Sequence, residues 1–258
     1  MPQNEIKRVD VLVRTFNSAD TIAECLQSVV KFIPIRKIIV VDHNSTDGTP
    51  EIASRFGAEV HSEETGLGFA TKLLISRAET EYILFVDGDI TVTNADFFER
   101  AAGLFNDPRT GAVVGCAVGH DFLYGIPLGL TMLPLDLARK IKMPDVIQGR
   151  ETFYFEEILA DYSKKVRYIR DAMVHRSTYR KYRYWPEWQG AQIRYTPSRH
   201  FSQLLRAIFV VYMMHLNSKS AKNFLYSPIY YVKIVSGFLN PEKWGDVDRR
   251  RITDAVRE

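Results

Sequence analysis

The sequence predicts an α/β fold: a mostly parallel sheet flanked by helices, with a helical appendage after it. Three observations predict this. Short β-branched runs alternate with helix-like stretches through the first half of the 258 residues, the pattern of strand–helix units joined by right-handed crossovers. Runs such as KIIVVD and YILFVD are continuously apolar, as strands covered on both faces must be. Beyond His175 the composition shifts: residues 176–200 are dense in Arg, Lys, Tyr and Trp, and residues 201–240 are apolar and aromatic. The expected division is an α/β domain over residues 1–176 and an appendage over residues 177–258.

Taken in order, the expected strands are residues 9–14, 37–42, 58–61, 82–87 and 112–118. Amphipathic helices are expected between them over residues 19–32, 49–56, 68–78 and 95–105. Asn17, Ser18 and Asp20 supply helix-start chemistry for the first helix. Ser45, Thr46, Asp47 and Gly48 do so for the second, with Pro50 near its first turn. After about residue 120 the alternation fades into a mixed region that reaches His175.

Composition excludes several classes. Apolar residues make up 46% and charged residues 25% of the chain, an ordinary globular balance that excludes disorder and collagen-like structure. The formal charge of +3 gives no argument for a nucleic-acid partner, and none is expected. Cys25 and Cys116 form neither a zinc pattern nor a disulfide framework, which fits a reducing interior. The N-terminal MPQNEIKRVD lacks a signal-peptide core, and no apolar run reaches the roughly 18–20 residues that span a bilayer as a helix.

Chemistry concentrates where strands end. The run Tyr82–Val86 stops at Asp87-Gly88-Asp89. In an extended chain the side chains at i and i+2 lie on one side, so the two carboxylates converge. Gly88 between them lets a ligand approach the backbone. Two like charges at the edge of an open α/β sheet call for a cation, and hard oxygens suit Mg²⁺ or Mn²⁺. The competing reading is an Asp-Gly turn whose carboxylates cap the backbone. Other strand ends favour the first reading: Asp42 closes the second strand, and Arg14-Thr15-Phe16-Asn17 closes the first. A nucleotide on that edge would meet Asp42 through its base or ribose and pack on the backbone near Thr15. Ser45, Thr46 and Asp47 are explained as well by capping as by ligand contact. The glycines of Thr65-Gly66-Leu67-Gly68 open a helix toward an anion, with Lys72 facing either a diphosphate or solvent. This loop does not follow a first strand as G-x-G-x-x-G, which argues against an NAD-binding unit.

The segments RTFNSADTIAECLQSV, KIIVVDHNSTDGTPEIA and GLGFATKLLISRAETEYILFVDGDI, in that order within residues 9–118, resemble family-2 glycosyltransferases of the GT-A fold. The resemblance implies a sugar-nucleotide donor seated by Thr15, Asn17, Asp42 and Asp87. It also implies a divalent cation, Mn²⁺ or Mg²⁺, held by Asp87 and Asp89. Members often read Asp-Asp where this chain has Asp42-His43, which leaves the base preference open. Family relatives that act on polyprenyl-phosphate acceptors imply GDP-mannose, slightly ahead of UDP-glucose. Alignment on Val166–His175 puts Glu151-Thr152 at the family's Glu-Asp pair, whose aspartate usually serves as general base. An inverting transfer requires a base at the acceptor hydroxyl, and Glu151 is the nearest carboxylate here, with Asp145 and Asp121 in reserve. Gln192-Ile193-Arg194-Tyr195 resembles a degraded form of the Gln-x-x-Arg-Trp signature of processive relatives. That resemblance places Gln192 and Arg194 at the acceptor and the diphosphate.

Around the start of the appendage, Arg176, Arg180, Lys181, Arg183 and Arg199 interleave with Tyr179, Tyr182, Tyr184 and Trp185. Two apolar stretches follow, residues 204–216 and 228–239, each interrupted by one cation. They read as helices lying in a membrane surface, or as a face packed on protein. The expected location is the cytoplasmic face of a membrane, peripheral or monotopic, with a lipid-linked or glycan acceptor. If those helices pack only on protein, the expected location is the cytoplasm. Two alternatives remain at this level: a sugar nucleotidyltransferase and a non-catalytic membrane adaptor. The first usually carries a Gly-rich basic loop after its first strand, which RTFNSAD lacks. The second draws on Thr152 standing where the family has aspartate.

Overall fold

The computed structural model describes residues 6–118, 126–143, 151–176, 185–194, 200–217 and 221–243. The first elements are β1 (Val9–Thr15), α1 (Ala19–Phe32), β2 (Ile35–Asp42), α2 (Thr49–Arg55), β3 (Glu59–Ser62) and α3 (Leu67–Arg77). Next come β4 (Tyr82–Asp87), β5 (Ile90–Val92), α4 (Phe97–Leu104), β6 (Thr110–Ala117), β7 (Leu130–Pro134) and α5 (Leu135–Ala138). The remainder are α6 (Glu151–Asp161), β8 (Lys165–His175), α7 (Trp185–Arg194), α8 (His200–Asn217) and α9 (Ala221–Leu239). These elements fall into two compact units, one carrying β1 to β8 with α1 to α6, the other α7 to α9.

One sheet of eight strands organises the first unit, in the order β3-β2-β1-β4-β7-β6-β8-β5. Neighbours β1 and β2, β1 and β4, β2 and β3, and β6 and β8 run parallel. The pairs β4 and β7, β6 and β7, and β5 and β8 run antiparallel. The apolar runs explain why the central strands are buried on both faces. Val11 and Val13 of β1, Ile38 and Val40 of β2 and Leu84 and Val86 of β4 face one core, with Ile22, Cys25, Leu26 and Val29 of α1. Their neighbours Leu12, Ile39, Val41, Ile83 and Phe85 face the other core, with Leu74 of α3 and Phe155 and Leu159 of α6. Each fully buried aliphatic side chain contributes roughly 1.5–3 kcal/mol, so this two-sided burial outweighs the weak propensity of any single residue.

Two strands were not visible in the sequence, β5 and β7. Only three residues long, β5 has no periodicity to read. The strand β7 enters between β4 and β6 and reverses the local direction, so that Thr131 lies opposite both Phe85 and Val114. Its sequence LTMLP ends in proline, a residue tolerated at a strand end but not within a ladder.

In the second unit, α7 and α9 cross with glycine on each side. A Cβ on Gly190 would collide with the carbonyl of Ile234, and one on Gly237 with the carbonyl of Glu187. Trp188, Ile193, Leu204 and Ile234 are buried there. Lys233 and Glu187 form an ion pair at 3.0 Å, and His215 of α8 meets Ser227 of α9 at 2.6 Å. Among the described residues, no helix is long and apolar enough to cross a membrane.

Candidate active site

The loops after β1 and β2 are stapled to each other. Asp42 is fully buried. Its carboxylate accepts from the Thr15 hydroxyl at 2.7 Å, the Ser45 N–H at 2.7 Å and the Ser45 hydroxyl at 2.6 Å. A carboxylate has about four acceptor positions, and three of those on Asp42 are taken by these donors. Asn17 holds a left-handed backbone, φ 44°, a conformation asparagine tolerates better than most residues. Its N–H donates to Ser45 Oγ, and its side-chain oxygen accepts from the Thr46 N–H. Asp47 accepts from the Ala19 N–H at the start of α1, and from the N–H and hydroxyl of Thr49. Burial alone would raise the Asp47 carboxyl; these donors hold it below its ordinary value. The capping expected of this segment is thus made between the two loops, with Asp47 and not Ser18 capping α1.

Beside them lies a feature that the local sequence did not announce. His43 Nδ1 meets Glu63, a carboxylate with 1% exposure. The other Glu63 oxygen accepts from the Gly66 N–H ahead of α3. Phe16, partly exposed, sits edge-on to His43 with ring centroids 5.5 Å apart. Glu63 thus brings from the loop after β3 a carboxylate to the place where the resemblance had led one to expect a second aspartate.

Asp87 ends β4, and Gly88 and Asp89 form the turn into β5. The two carboxylates therefore converge across a turn and not along an extended strand. Gly88 is also required for a different reason from the one expected. A Cβ there would lie 3.1 Å from Thr15 Cγ2 and 3.3 Å from Ile22 Cδ1, so the glycine serves packing between the turn and its own domain.

A third donor joins them. Antiparallel pairing of β5 with β8 sets His175 opposite Ile90, next to Asp89. One donor atom from each of Asp87, Asp89 and His175 lies within 4.8 Å of the others. Gly129 borders this cluster. A Cβ on it would stand 3.4 Å from Asp87 Oδ2 and 3.7 Å from His175 Nε2, so the missing side chain leaves room beside both donors. Two hard carboxylate oxygens and an imidazole in reach of one point fit a divalent cation such as Mn²⁺ or Mg²⁺. His175 Nδ1 stands 3.5 Å from Asp89 Oδ1. The Asp89 carboxylate beside it, with the charge of Asp87, holds the imidazole above its ordinary value against the effect of burial.

Two further side chains touch Asp87. Arg14 Nη2 donates to Oδ1 at 2.8 Å. The buried Cys25 thiol lies 3.4 Å from the Asp87 carbonyl, and burial, reinforced by the charges of Asp87 and Asp89, pushes it up to about 12. Cys25 therefore stays protonated near neutral pH and is fully buried against the β4 end.

Lys72 is half-buried on α3, and Glu151 is the first residue of α6. In the second unit, Gln192 is buried on α7, and Arg194 stacks its guanidinium 5.9 Å from the Phe238 ring centroid. Asp121, Asp145 and the basic, aromatic stretch 177–184 lie outside the described residues. His175 and Gly129 were missed. The available signal for His175 was a histidine closing a strand whose end could reach the carboxylate edge. It became decisive only once the β5–β8 pairing was known.

An eight-stranded mixed sheet between helices, with converging carboxylates where β4 turns into β5, is the architecture of GT-A glycosyltransferases. The solved structures agree. A mannosyltransferase from Pyrobaculum calidifontis, PcManGT, in complex with GDP-Man and Mn²⁺, superposes with a TM-score of 0.65 at 18% identity, covering 97% of this chain and 79% of that one. Glucosyl-3-phosphoglycerate synthase from Mycobacterium tuberculosis, with Mn²⁺ and UDP, superposes at 0.55 and 18% identity over 66% of this chain and 72% of that one. The sequence profile described as glycosyl transferase family 2 matches residues 10–127. Protein RfbJ of Shigella flexneri is 32% identical over 109 residues, 42% of this chain and 84% of that protein. The O-antigen chain rhamnosyltransferase WbaN of Salmonella anatum is 32% identical over 136 residues, but only 43% of its length is covered. The chain belongs to glycosyl transferase family 2, and its class of activity is glycosyl transfer.

Proposed function

We propose that this chain moves a sugar from a nucleotide-diphosphate sugar to a lipid-linked or glycan acceptor, with inversion at the anomeric carbon. GDP-mannose is preferred over UDP-glucose as donor. The observation that carries the reading is the convergence of Asp87, Asp89 and His175 within 4.8 Å beside Gly129. A bound Mn²⁺ or Mg²⁺ would supply positive charge to the departing diphosphate. Thr15, Asn17 and the stapled Asp42 would position the nucleoside, with Phe16 and His43 at its edge. In the transfer, the acceptor oxygen bonds to the anomeric carbon as the bond from that carbon to the phosphate oxygen breaks. The nucleoside diphosphate leaves with the electron pair, and the acceptor proton passes to a carboxylate, for which Glu151 is the candidate. Arg194 and Lys72 are proposed to add positive charge near the diphosphate, and Gln192 to contact the acceptor. The structural likeness to a mannosyltransferase holding GDP-Man supports the donor preference.

Association with the cytoplasmic surface of a membrane, peripheral or monotopic, is part of this proposal. It is supported by two apolar stripes in the second unit. Phe201, Leu205, Phe209, Tyr212 and Leu216 are exposed on α8, and Leu225, Ile229, Val232 and Leu239 on α9. Spacings of three, four and seven residues put each set on one helix face.

Thermal unfolding with GDP, UDP, GDP-mannose and UDP-glucose, each with and without Mn²⁺, tests the donor assignment. A cation-dependent rise in Tm is expected with the guanine nucleotides and not in Asp89→Asn, whose transfer activity should also be lost with the fold retained. Substantial turnover by Asp89→Asn would refute the metal role. A shift with uridine nucleotides alone would replace the donor.

A further inference from the structure

We propose that Arg14 is a positioning residue that makes cation binding at this site depend on the donor's diphosphate. The inference rests on the cation-site reading above. Arg14 lies opposite Asp87 in the parallel β1–β4 register, and its side chain is only 9% exposed. Its Nη2 holds Asp87 Oδ1 at 2.8 Å. The other oxygen, Oδ2, is the one beside the space left by Gly129. The carboxylate is thus divided, one oxygen committed to a guanidinium and the other presented to the cluster with Asp89 and His175.

Two consequences follow from this division. The hydrogen bond orients the Asp87 carboxylate, with Oδ2 the oxygen that lies beside Gly129. The guanidinium also places a permanent positive charge one carboxylate away from that cation. Arginine does not deprotonate in proteins, and its side chain is largely buried here, while that of Asp87 is 36% exposed. Water reaches Asp87 and screens the repulsion in part, and what remains weakens binding of a bare cation. A diphosphate reverses the balance, because its negative charges attract the guanidinium and the cation together. Cation and diphosphate then bind cooperatively, each raising the affinity of the other by the same factor. Lysine in place of Arg14 would keep the charge; a neutral side chain would remove it.

The test is calorimetric titration of the full chain with Mn²⁺, alone and with saturating GDP or UDP, whichever raises the Tm. Wild type and Arg14→Lys are expected to bind Mn²⁺ weakly alone and on the order of tenfold more tightly with the diphosphate. Arg14→Gln is expected to bind Mn²⁺ alone more tightly than wild type and to lose most of that coupling. Arg14→Met, of similar length and uncharged, takes its place if the glutamine variant unfolds. Unchanged or weaker Mn²⁺ binding by a folded neutral variant, with its coupling intact, overturns the role of Arg14 while leaving the cation site standing. Failure of wild type to bind Mn²⁺ under either condition overturns the cation site itself, and this inference with it.

Discussion

At His175, one side chain joins the fold's charge balance to the proposed cation site. Asp89, and then the charge of Asp87, holds its imidazole above the ordinary value. A group whose folded value is raised stabilises the folded state fully below its unfolded value, about 6.5 for histidine. That stabilisation is lost as pH rises through the raised folded value. In chelator-treated protein, the stability advantage of wild type over His175→Gln is therefore expected to be largest near pH 5–6. It should shrink as pH rises past the ordinary histidine range. Denaturant midpoints from pH 5 to 9 measure this, and an advantage that stays level across the range would contradict the pairing. The two aspartates were legible in the sequence because they are neighbours in it. The histidine was not, because its proximity depends on a strand pairing far along the chain.

The elements show where backbone approach, and not side-chain choice, sets the structure. In α7 and α9, Gly190 and Gly237 each face a carbonyl of the other helix inside van der Waals distance of any added Cβ. Valine at Gly190 is expected to destabilise the second unit by about 3 kcal/mol, since backbone cannot yield as a flexible side chain can. Loss of helical circular dichroism at a lower temperature would show it. Gly103 of α4 has nothing within 4 Å of an added Cβ, and Gly103→Ala should be neutral or stabilising by roughly 0.5–1 kcal/mol. Equal effects from the two substitutions would remove the close-approach argument. Sequence patterning located α1 to within its observed ends because a 14-residue amphipathic helix has a strong period. It missed β7, because five residues ending in proline carry no period that distinguishes a strand from a loop.

At the scale of the molecule, the exposed apolar residues of α8 and α9 are the surface that the proposed membrane association would use. Co-sedimentation with vesicles containing phosphatidylglycerol is expected for the full chain, and Phe209→Glu with Val232→Glu should reduce it several-fold while the Tm is retained. A wild-type chain that stays in the supernatant would remove the membrane from the proposed function and leave the stripes to a protein partner. Amphipathic spacing made these helices readable from sequence. What covers their faces is a property of the assembly, and no single-chain pattern contains it.

By itself, the sequence determined the strand–helix alternation, the two-faced burial of β2 and β4 and the presence of Asp42 and Asp87 at strand ends, with Asp89 two residues beyond Asp87. Each follows from local periodicity, since alternate residues of a strand must enter opposite cores. Only the tertiary structure decided that His175 and Gly129 complete the carboxylate cluster, that Arg14 takes one oxygen of Asp87, and that Asp42 is already engaged by Thr15 and Ser45. Those facts depend on strand order and register, which bring distant segments within hydrogen-bond reach and which no local pattern encodes.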